Sequence, residues 1–305
     1  MTAALIIAAG KTDHKDTFSP EKQYGRISSL ERMVLLFQLS GIQRIAVVGD
    51  EKELPQKLVS SMNLVFFQIP EKGEMLDGIK LGLDYLQDKC QKVFISPVDV
   101  PLVSKETVEK LMKEEQEVCI PSYCGHCGHP ILLQASCFAK ILSYHGADGL
   151  KGAIRAAGLR RTFVDTSDPG ILPEGALGIP YETLLADHDV LKLRASFRLR
   201  ISREKVFYGP GAHHLLQLIE EFGSLSNACQ HMGMSYSKGR KIIAAMEEEL
   251  GAPVLQTKQG GRDGGYSHLT EEAKRMMNCY SAFQAEADDA LQELFRKHFS
   301  EIIRP

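Results

Sequence analysis

The chain of 305 residues contains no apolar run long enough to cross a bilayer. It also lacks the basic leader of a secreted protein. Its first residues, MTAALIIAAGK, turn glycine-rich at once and read as a buried strand rather than a signal peptide. There is no excess of basic charge. The formal net charge is -3 at pH 7, which gives no reason to expect whole-molecule attraction to nucleic acid, so any DNA contact needs a local basic face. The cysteines form no compact framework. There are 7, an odd number scattered unevenly in a chain without a signal peptide, which points to a reducing cytoplasm. Internal repeats and low-complexity tracts are missing too. What is there is ordinary for a soluble globular protein, 44% hydrophobic and 25% charged, with length enough for two domains.

The first part of the chain alternates between apolar runs and amphipathic helices. AALIIAA, RIAVVGD, LVFFQI, KVFISPVD and VCIP read as strands. SLERMVLLFQLSG, EMLDGIKLGLDYLQD and KETVEKLMKEEQ read as helices. That order predicts an α/β fold, a Rossmann-like, mostly parallel sheet with helices on both faces. Ligands of such sheets bind beyond the carboxyl ends of the strands, which here carry Ala8-Ala9-Gly10 and Pro97-Val98-Asp99. Composition shifts near Asp187 to Arg194, giving expected domains of 1–190 and 191–305. The basic stretch Lys192 to Lys205 alternates like a strand, and almost everything after His213 is helical apart from the glycine-rich Gly260 to Gly265.

A strand, then AAGK, then a polar loop and a helix is a nucleotide-binding order. Backbone N–H groups of the glycine turn can cradle phosphates, with Lys11, Lys15 or Lys22 adding positive charge. The spacing of a P-loop is absent, and an ordinary strand-to-loop turn explains AAGK about as well. Asp99, at the end of a buried strand, suits Mg²⁺ held between phosphate oxygens; a strand-end Asp also commonly just caps a turn. Together LIIAAGK, PVDVPLVS, GHPILL and GADGLKGAIRA resemble the MobA-like and MocA-like molybdopterin nucleotidyltransferases over about Met1 to Ala186. The resemblance implies nucleotide contacts from Ala8, Ala9, Gly10, Lys11, Asp77 and Gly78. It implies a cofactor-side loop of Gly128, His129 and Pro130, with Asp99, Lys22 and His129 as catalytic candidates and Asp99 as the metal ligand. The reaction would be attack of a molybdopterin phosphate on the α-phosphate of CTP or GTP, catalysed by positioning and by charge neutralisation. The chain departs from the family pattern. In GKTDHKDTFSPEK, His14, Asp16 and Ser19 stand where the family has Arg, Gly and Lys, and Thr12 replaces a Ser. ALGIPYETLL keeps Pro180 but not the acidic residues that active members carry before it. Loss of one charge-stabilising group typically costs on the order of 100- to 1000-fold in rate.

In the second part, HHLLQLIEEFG, SLSNACQHMG and MSYSKGRKIIAAMEEELG read as three helices, the last two joined by a short glycine turn. The third opens with Ser235, Tyr236, Ser237 and Lys238, followed by Arg240 and Lys241, residue types suited to phosphates and base edges. APVLQTKQGGRDGGYSHLT then looks like a wing with Lys258 and Arg262 at its tip, and a long helix with an apolar stripe suits pairing with a second copy. Three amphipathic helices also suit a plain bundle, and pattern alone favours DNA only slightly. The segment from Lys205 to Tyr280 resembles the winged-helix DNA-binding domain of ModE-type regulators, related to the LysR type, through GPG, GSLSNACQHMGMSY and GGRDGGYSHLT. It implies a DNA-binding homodimer joined by the C-terminal helix. Gly239-Arg240 departs from the Ala-Trp usual there.

PSYCGHCGHPILL offers Cys124, His126, Cys127 and His129 as metal ligands. One short loop would have to supply all four, and no second pair follows, so metal binding is the minority reading. Three functions stand against one another: a regulator whose transferase-like domain senses a nucleotide or molybdopterin-type ligand, a working transferase with an appended DNA-binding domain, and a scaffold with neither activity. The altered loop favours the first over the second. The retained AAGK, Asp99 and Gly128-His129-Pro130 argue against the third.

Overall fold

The computed structural model describes residues 1–8, 20–50, 62, 64–70, 73–186, 188–258, 266–300 and 302. The chain divides into two compact units, one of Met1–Leu58 and Leu64–Lys192, the other chiefly Leu193–Pro305.

In the first unit the N-terminal apolar run forms β1 (Thr2–Ile7), followed along the chain by the short ribbon of β2 (Gln23–Tyr24) and β3 (Ile27–Ser28) that leads into helix α1 (Ser29–Leu39). Ser28 and Glu31 start that helix with a reciprocal cap. The Ser28 Oγ accepts the Glu31 N–H at 3.2 Å, and the Glu31 carboxylate accepts the Ser28 N–H at 2.7 Å. Then follow β4 (Arg44–Gly49), β5 (Val65–Gln68), α2 (Met75–Leu86), β6 (Lys92–Pro97), α3 (Lys105–Met112), β7 (Val118–Tyr123), β8 (His126–Cys127), β9 (Ile131–Gln134), α4 (Phe138–Leu142), α5 (Gly149–Ala156), β10 (Arg161–Asp165) and α6 (Tyr181–Ala186).

The strands form one sheet in the order β10-β7-β9-β6-β1-β4-β5, with β8 beside β7. β1 is parallel to both β4 and β6, β4 to β5, and β7 to β10. Only β9 and the small β8 run antiparallel to their partners. The expected α/β fold with a mostly parallel sheet is therefore what forms. Apolar runs buried on both faces produce it, as in β1, where Ala3 to Ile7 are almost inaccessible. From β1 the chain steps through β4 to β5, and then returns to the other side of β1 as β6. That reversal opens a crevice at the carboxyl ends of β1 and β6.

In the second unit β11 (Ile201–Ser202) and β12 (Val206–Tyr208) form a ribbon. Helices α7 (Pro210–Phe222), α8 (Leu225–His231) and α9 (Tyr236–Leu250) follow, then the antiparallel hairpin β13 (Leu255–Lys258) and β14 (Tyr266–Leu269), then the long α10 (Glu271–Phe299). Thr270 caps α10, with Glu271 and Glu272 in its first turn and Arg296, Lys297 and His298 in its last, matching the helix dipole at both ends. The strand expected through Lys192 to Lys205 is corrected: only Ile201–Ser202 is strand. A strand needs a ladder partner. Here the Leu199 carbonyl accepts from the Tyr280 hydroxyl at 2.9 Å and the Ala195 carbonyl from the Gln292 amide at 3.4 Å, so α10 satisfies this backbone instead.

Candidate functional site

The crevice of the first unit is built from the ends of β1 and β6. Ala8 closes β1, fully buried, its N–H donating to the Val48 carbonyl at 2.8 Å. Ala9, Gly10, Lys11 and Lys15 lie outside the described residues. Asp99 follows β6, and its Oδ1 is buried with no hydrogen-bond partner. Burial pushes its carboxyl above the usual range, opposed only by a backbone hydrogen bond. An anionic oxygen held out of water without a partner gains most from an arriving cation, so Asp99 fits a hard divalent metal such as Mg²⁺. Among the described residues no group of three His, Cys, Asp or Glu side chains could hold a metal.

Beside Asp99 stands a cluster that the sequence reading did not assemble. The Tyr181 hydroxyl donates to the Leu172 carbonyl at 2.6 Å and lies 3.4 Å from the Asp99 carbonyl oxygen. Its ring packs 5.6 Å from that of Tyr24. The Tyr24 hydroxyl donates to the Glu174 carboxylate at 2.9 Å, and the Lys22 ammonium pairs with the same Glu174 oxygen. Burial first, then the hydrogen bond and charge of Glu174 and the charge of Asp99, raise the Tyr24 hydroxyl, which stays a protonated donor. The Lys22 contact holds the Glu174 carboxyl below its usual range. Lys22 thus reaches the site as a cation already held by an acid. The family pattern places its carboxylates within ALGIPYETLL, whereas Glu174, which joins the cluster, lies two positions before it. Its partner Lys22 is 152 positions away, and no local pattern links them.

The antiparallel register pairs Ile95 with Ile131, which brings residues 128–130 to the same sheet edge as Asp99. Gly128 is required by a close approach: a Cβ there would lie 2.3 Å from the Ile171 carbonyl oxygen. The His129 N–H donates to that carbonyl at 2.9 Å, and the His129–Pro130 peptide is cis. The His129 Nδ1 is buried without a partner. Burial pushes its pKa down to about 4, against a partly offsetting hydrogen bond to the Ile95 backbone. The ring is therefore neutral near pH 7 and offers a donor or an acceptor rather than a charge. Asp77 and Gly78 stand at the start of α2 near the end of β5. The Asp77 carboxylate accepts the Glu74 N–H at 2.8 Å, and Gly78 packs on Ile69. Cys124 and Gly125 turn an exposed hairpin that carries His126 and Cys127.

In the second unit the turn Met232 to Met234 joins α8 to α9, and Ser235 caps α9 by accepting the Lys238 N–H at 3.3 Å. Gly239, Ile243 and Met246 form the buried face. Tyr236, Ser237, Lys238, Arg240 and Lys241 are exposed. None of these three cations is ion-paired among the described residues. Gly239 has a steric reason: a Cβ there would lie 2.3 Å from the Cys229 Sγ on α8. Lys258 ends β13, its side chain outside what is described, and Arg262 lies outside the described residues.

Comparison with known proteins matches residues 4–162 to the family described as MobA-like NTP transferase domain. The C-terminal part is similar to the transcriptional regulator ModE of Haemophilus influenzae, 27% identical over 92 residues, which is 30% of this chain and 36% of that protein. It is also similar to the molybdenum-pterin-binding protein MopB of Rhodobacter capsulatus, 35% identical over 71 residues, 23% of this chain and 26% of that protein. The chain thus spans about a third or less of the length of these curated relatives. Among solved structures, Rv0371c from Mycobacterium tuberculosis is similar at 16% identity and a TM-score of 0.47, covering 61% of this chain and 97% of that one.

Proposed function

The chain belongs to the MobA-like NTP transferase domain family, and from that premise we propose that it is a molybdenum-cofactor-linked transcriptional regulator. The first unit binds a nucleotide, CTP or GTP, or a molybdopterin-type ligand. The second binds DNA as a homodimer joined through α10. One observation carries the DNA half: Lys238, Arg240 and Lys241 stand exposed, without an ion pair among the described residues, in the first turns of a capped helix that follows a short glycine turn. Ser235, Tyr236 and Ser237 add hydroxyl groups at its amino end, where phosphate and base-edge contacts are made. On α10, Phe283 and Leu294 are 54% and 52% exposed, an apolar stripe suited to a second copy of the same helix.

For the ligand half, Asp99 would hold Mg²⁺, whose charge would offset that of a bound phosphate. His129 contributes a neutral hydrogen-bonding group. Tyr24 and Tyr181 keep the wall beside Asp99 rigid, and Lys22 supplies a cation that a phosphate would have to draw away from Glu174.

Gel-shift titration on the promoter of its own gene tests the DNA half. Binding should weaken steeply with salt and be lost in a Lys238→Ala, Arg240→Ala variant. Unchanged binding in that variant removes α9 as the reading helix. A second reading, an active molybdopterin cytidylyl- or guanylyltransferase, is favoured by one observation, the presence of Lys22 in the Asp99 cluster despite the altered loop. Pyrophosphate release from CTP or GTP with Mg²⁺ and molybdopterin separates the two. Robust turnover abolished by Asp99→Ala would sink the sensor-only reading.

A further inference from the structure

Within the second unit a cavity of about 470 Å³ opens between the β11–β12 ribbon, the start of α7 and one side of α9. Four cationic side chains line it: Arg198, Arg200, Lys238 and Lys241. None of them is ion-paired among the described residues. Lys238, Lys241, Ile242 and Ala245 follow helical spacing and share one face of α9. That face is distinct from the buried one of Gly239, Ile243 and Met246, and it leaves Ser237 and Arg240 pointing elsewhere. Arg200 is brought in from the opposite wall, its Cγ within 3.6 Å of where a Cβ on Gly209 would stand. Gly209 gives α7 no side-chain cap, and Gly211 and Ala212 of its first turn also line the cavity. Val206, Pro210, Ile242 and Ala245 supply apolar wall.

Clustered cations without counter-charges repel one another, and a multivalent anion relieves that repulsion. The apolar wall asks for more than a bare anion. The volume falls in the range of about 300–1,000 Å³ usual for small-molecule sites. A DNA backbone, being convex, would meet the rim of such a recess and leave its apolar wall uncovered.

We propose that this cavity is a binding site for a small organic phosphate, its anionic head against the four cations and its apolar body over Val206, Ile242 and Ala245. Because Lys238 and Lys241 belong both to this site and to the proposed DNA contact, the ligand and DNA compete. The competition rests on the DNA-binding reading above; the ligand site does not.

The test titrates the full chain with phenyl phosphate, inorganic phosphate and a mixed-sequence duplex at low salt, in the wild type and in an Arg198→Ser, Arg200→Ser variant. Circular dichroism checks that the variant is folded. Phenyl phosphate should bind the wild type, lose about tenfold or more in affinity in the variant, and raise the protein concentration needed to shift the duplex. Inorganic phosphate should bind about tenfold more weakly than phenyl phosphate, because it leaves the apolar wall uncovered. Equal phenyl phosphate binding by wild type and variant overturns the site. So does a variant that loses duplex binding when neither protein binds phenyl phosphate, since the cavity would then be part of a DNA footprint. If no duplex binds while phenyl phosphate binding still depends on the two arginines, the DNA reading fails and the ligand site stands.

Discussion

Acidification should destabilise the second unit through one buried histidine. His213, on α7, is 8% exposed. Its Nδ1 lies 3.0 Å from the Tyr208 hydroxyl, its Nε2 lies 3.2 Å from the Ser281 Oγ, and its ring packs 4.8 Å from that of Tyr280. Burial first, then the neighbouring His214, push its pKa down to about 4. Both hydroxyls could accept from a protonated ring, so the penalty is desolvation rather than lost hydrogen bonds. In the unfolded chain the same imidazole titrates near the ordinary value of about 6.5. Between those values the unfolded state binds the proton and the folded state does not. Stability is therefore full above about pH 6.5 and falls as pH drops toward 4, by at most about 3 kcal/mol at 1.36 kcal/mol per unit. The chain has no tryptophan, so urea denaturation followed by far-ultraviolet circular dichroism is the assay, run from pH 7 to pH 4.5 on the wild type and on His213→Gln. Glutamine cannot titrate, so its acid loss should be shallower by most of that amount. The comparison also subtracts the contribution of His129 in the first unit, whose pKa is likewise about 4. Parallel acid slopes in the two proteins would refute the reasoning.

Gly239→Ala should lower the stability of the second unit by roughly 1–3 kcal/mol, because its methyl would meet the Cys229 Sγ. Cys229→Ala in the same chain should recover much of that loss, and a double-mutant cycle with no coupling would show that the two do not share space. Asp99→Asn should raise the thermal midpoint in the absence of metal, since it removes a carboxylate charge that burial disfavours, while weakening Mg²⁺-dependent nucleotide binding measured by calorimetry. A lowered midpoint would mean that the carboxylate is already compensated. A Phe283→Asp, Leu294→Asp variant should shift the sedimentation coefficient from that of a dimer to that of a monomer without loss of helix; an unchanged coefficient would exclude this stripe as the dimer contact.

Local pattern carried the elements well and the pairings poorly, for a physical reason. AALIIAA and KVFISPVD are apolar beyond what a half-exposed strand tolerates, so their burial follows from composition. Nothing in the stretch ILLQ says that it will insert antiparallel between β6 and β7, because register depends on partners far along the chain. Alternation over Leu193 to Leu199 suggested a strand, but whether such a pattern becomes one depends on a neighbour, and here the neighbour is a helix.

The candidate site divides in the same way. Asp99 and Gly128-His129-Pro130 were legible because each sits at a strand end, where a short motif and a loop coincide. Glu174 and Tyr181 were not, since their meaning comes from Lys22, Tyr24 and Asp99 across the fold. Gly239 shows how a residue can mislead when read alone. Set against the family pattern, a glycine in place of alanine looks like erosion of a recognition helix. Against the fold it is one half of an exchange of volume, in which the Cys229 sulfur fills the space that a methyl would need, and α8 and α9 keep their close approach. The departure therefore weighs little against DNA binding. The altered loop bears on the catalytic reading, because two of the residues the family has there, an Arg and a Lys, carry charge. Glu174 already neutralises Lys22, a cation that could have made up part of that loss. Under the regulator reading proposed above, a domain so arranged would recognise a phosphate-bearing ligand with less charge to drive its turnover.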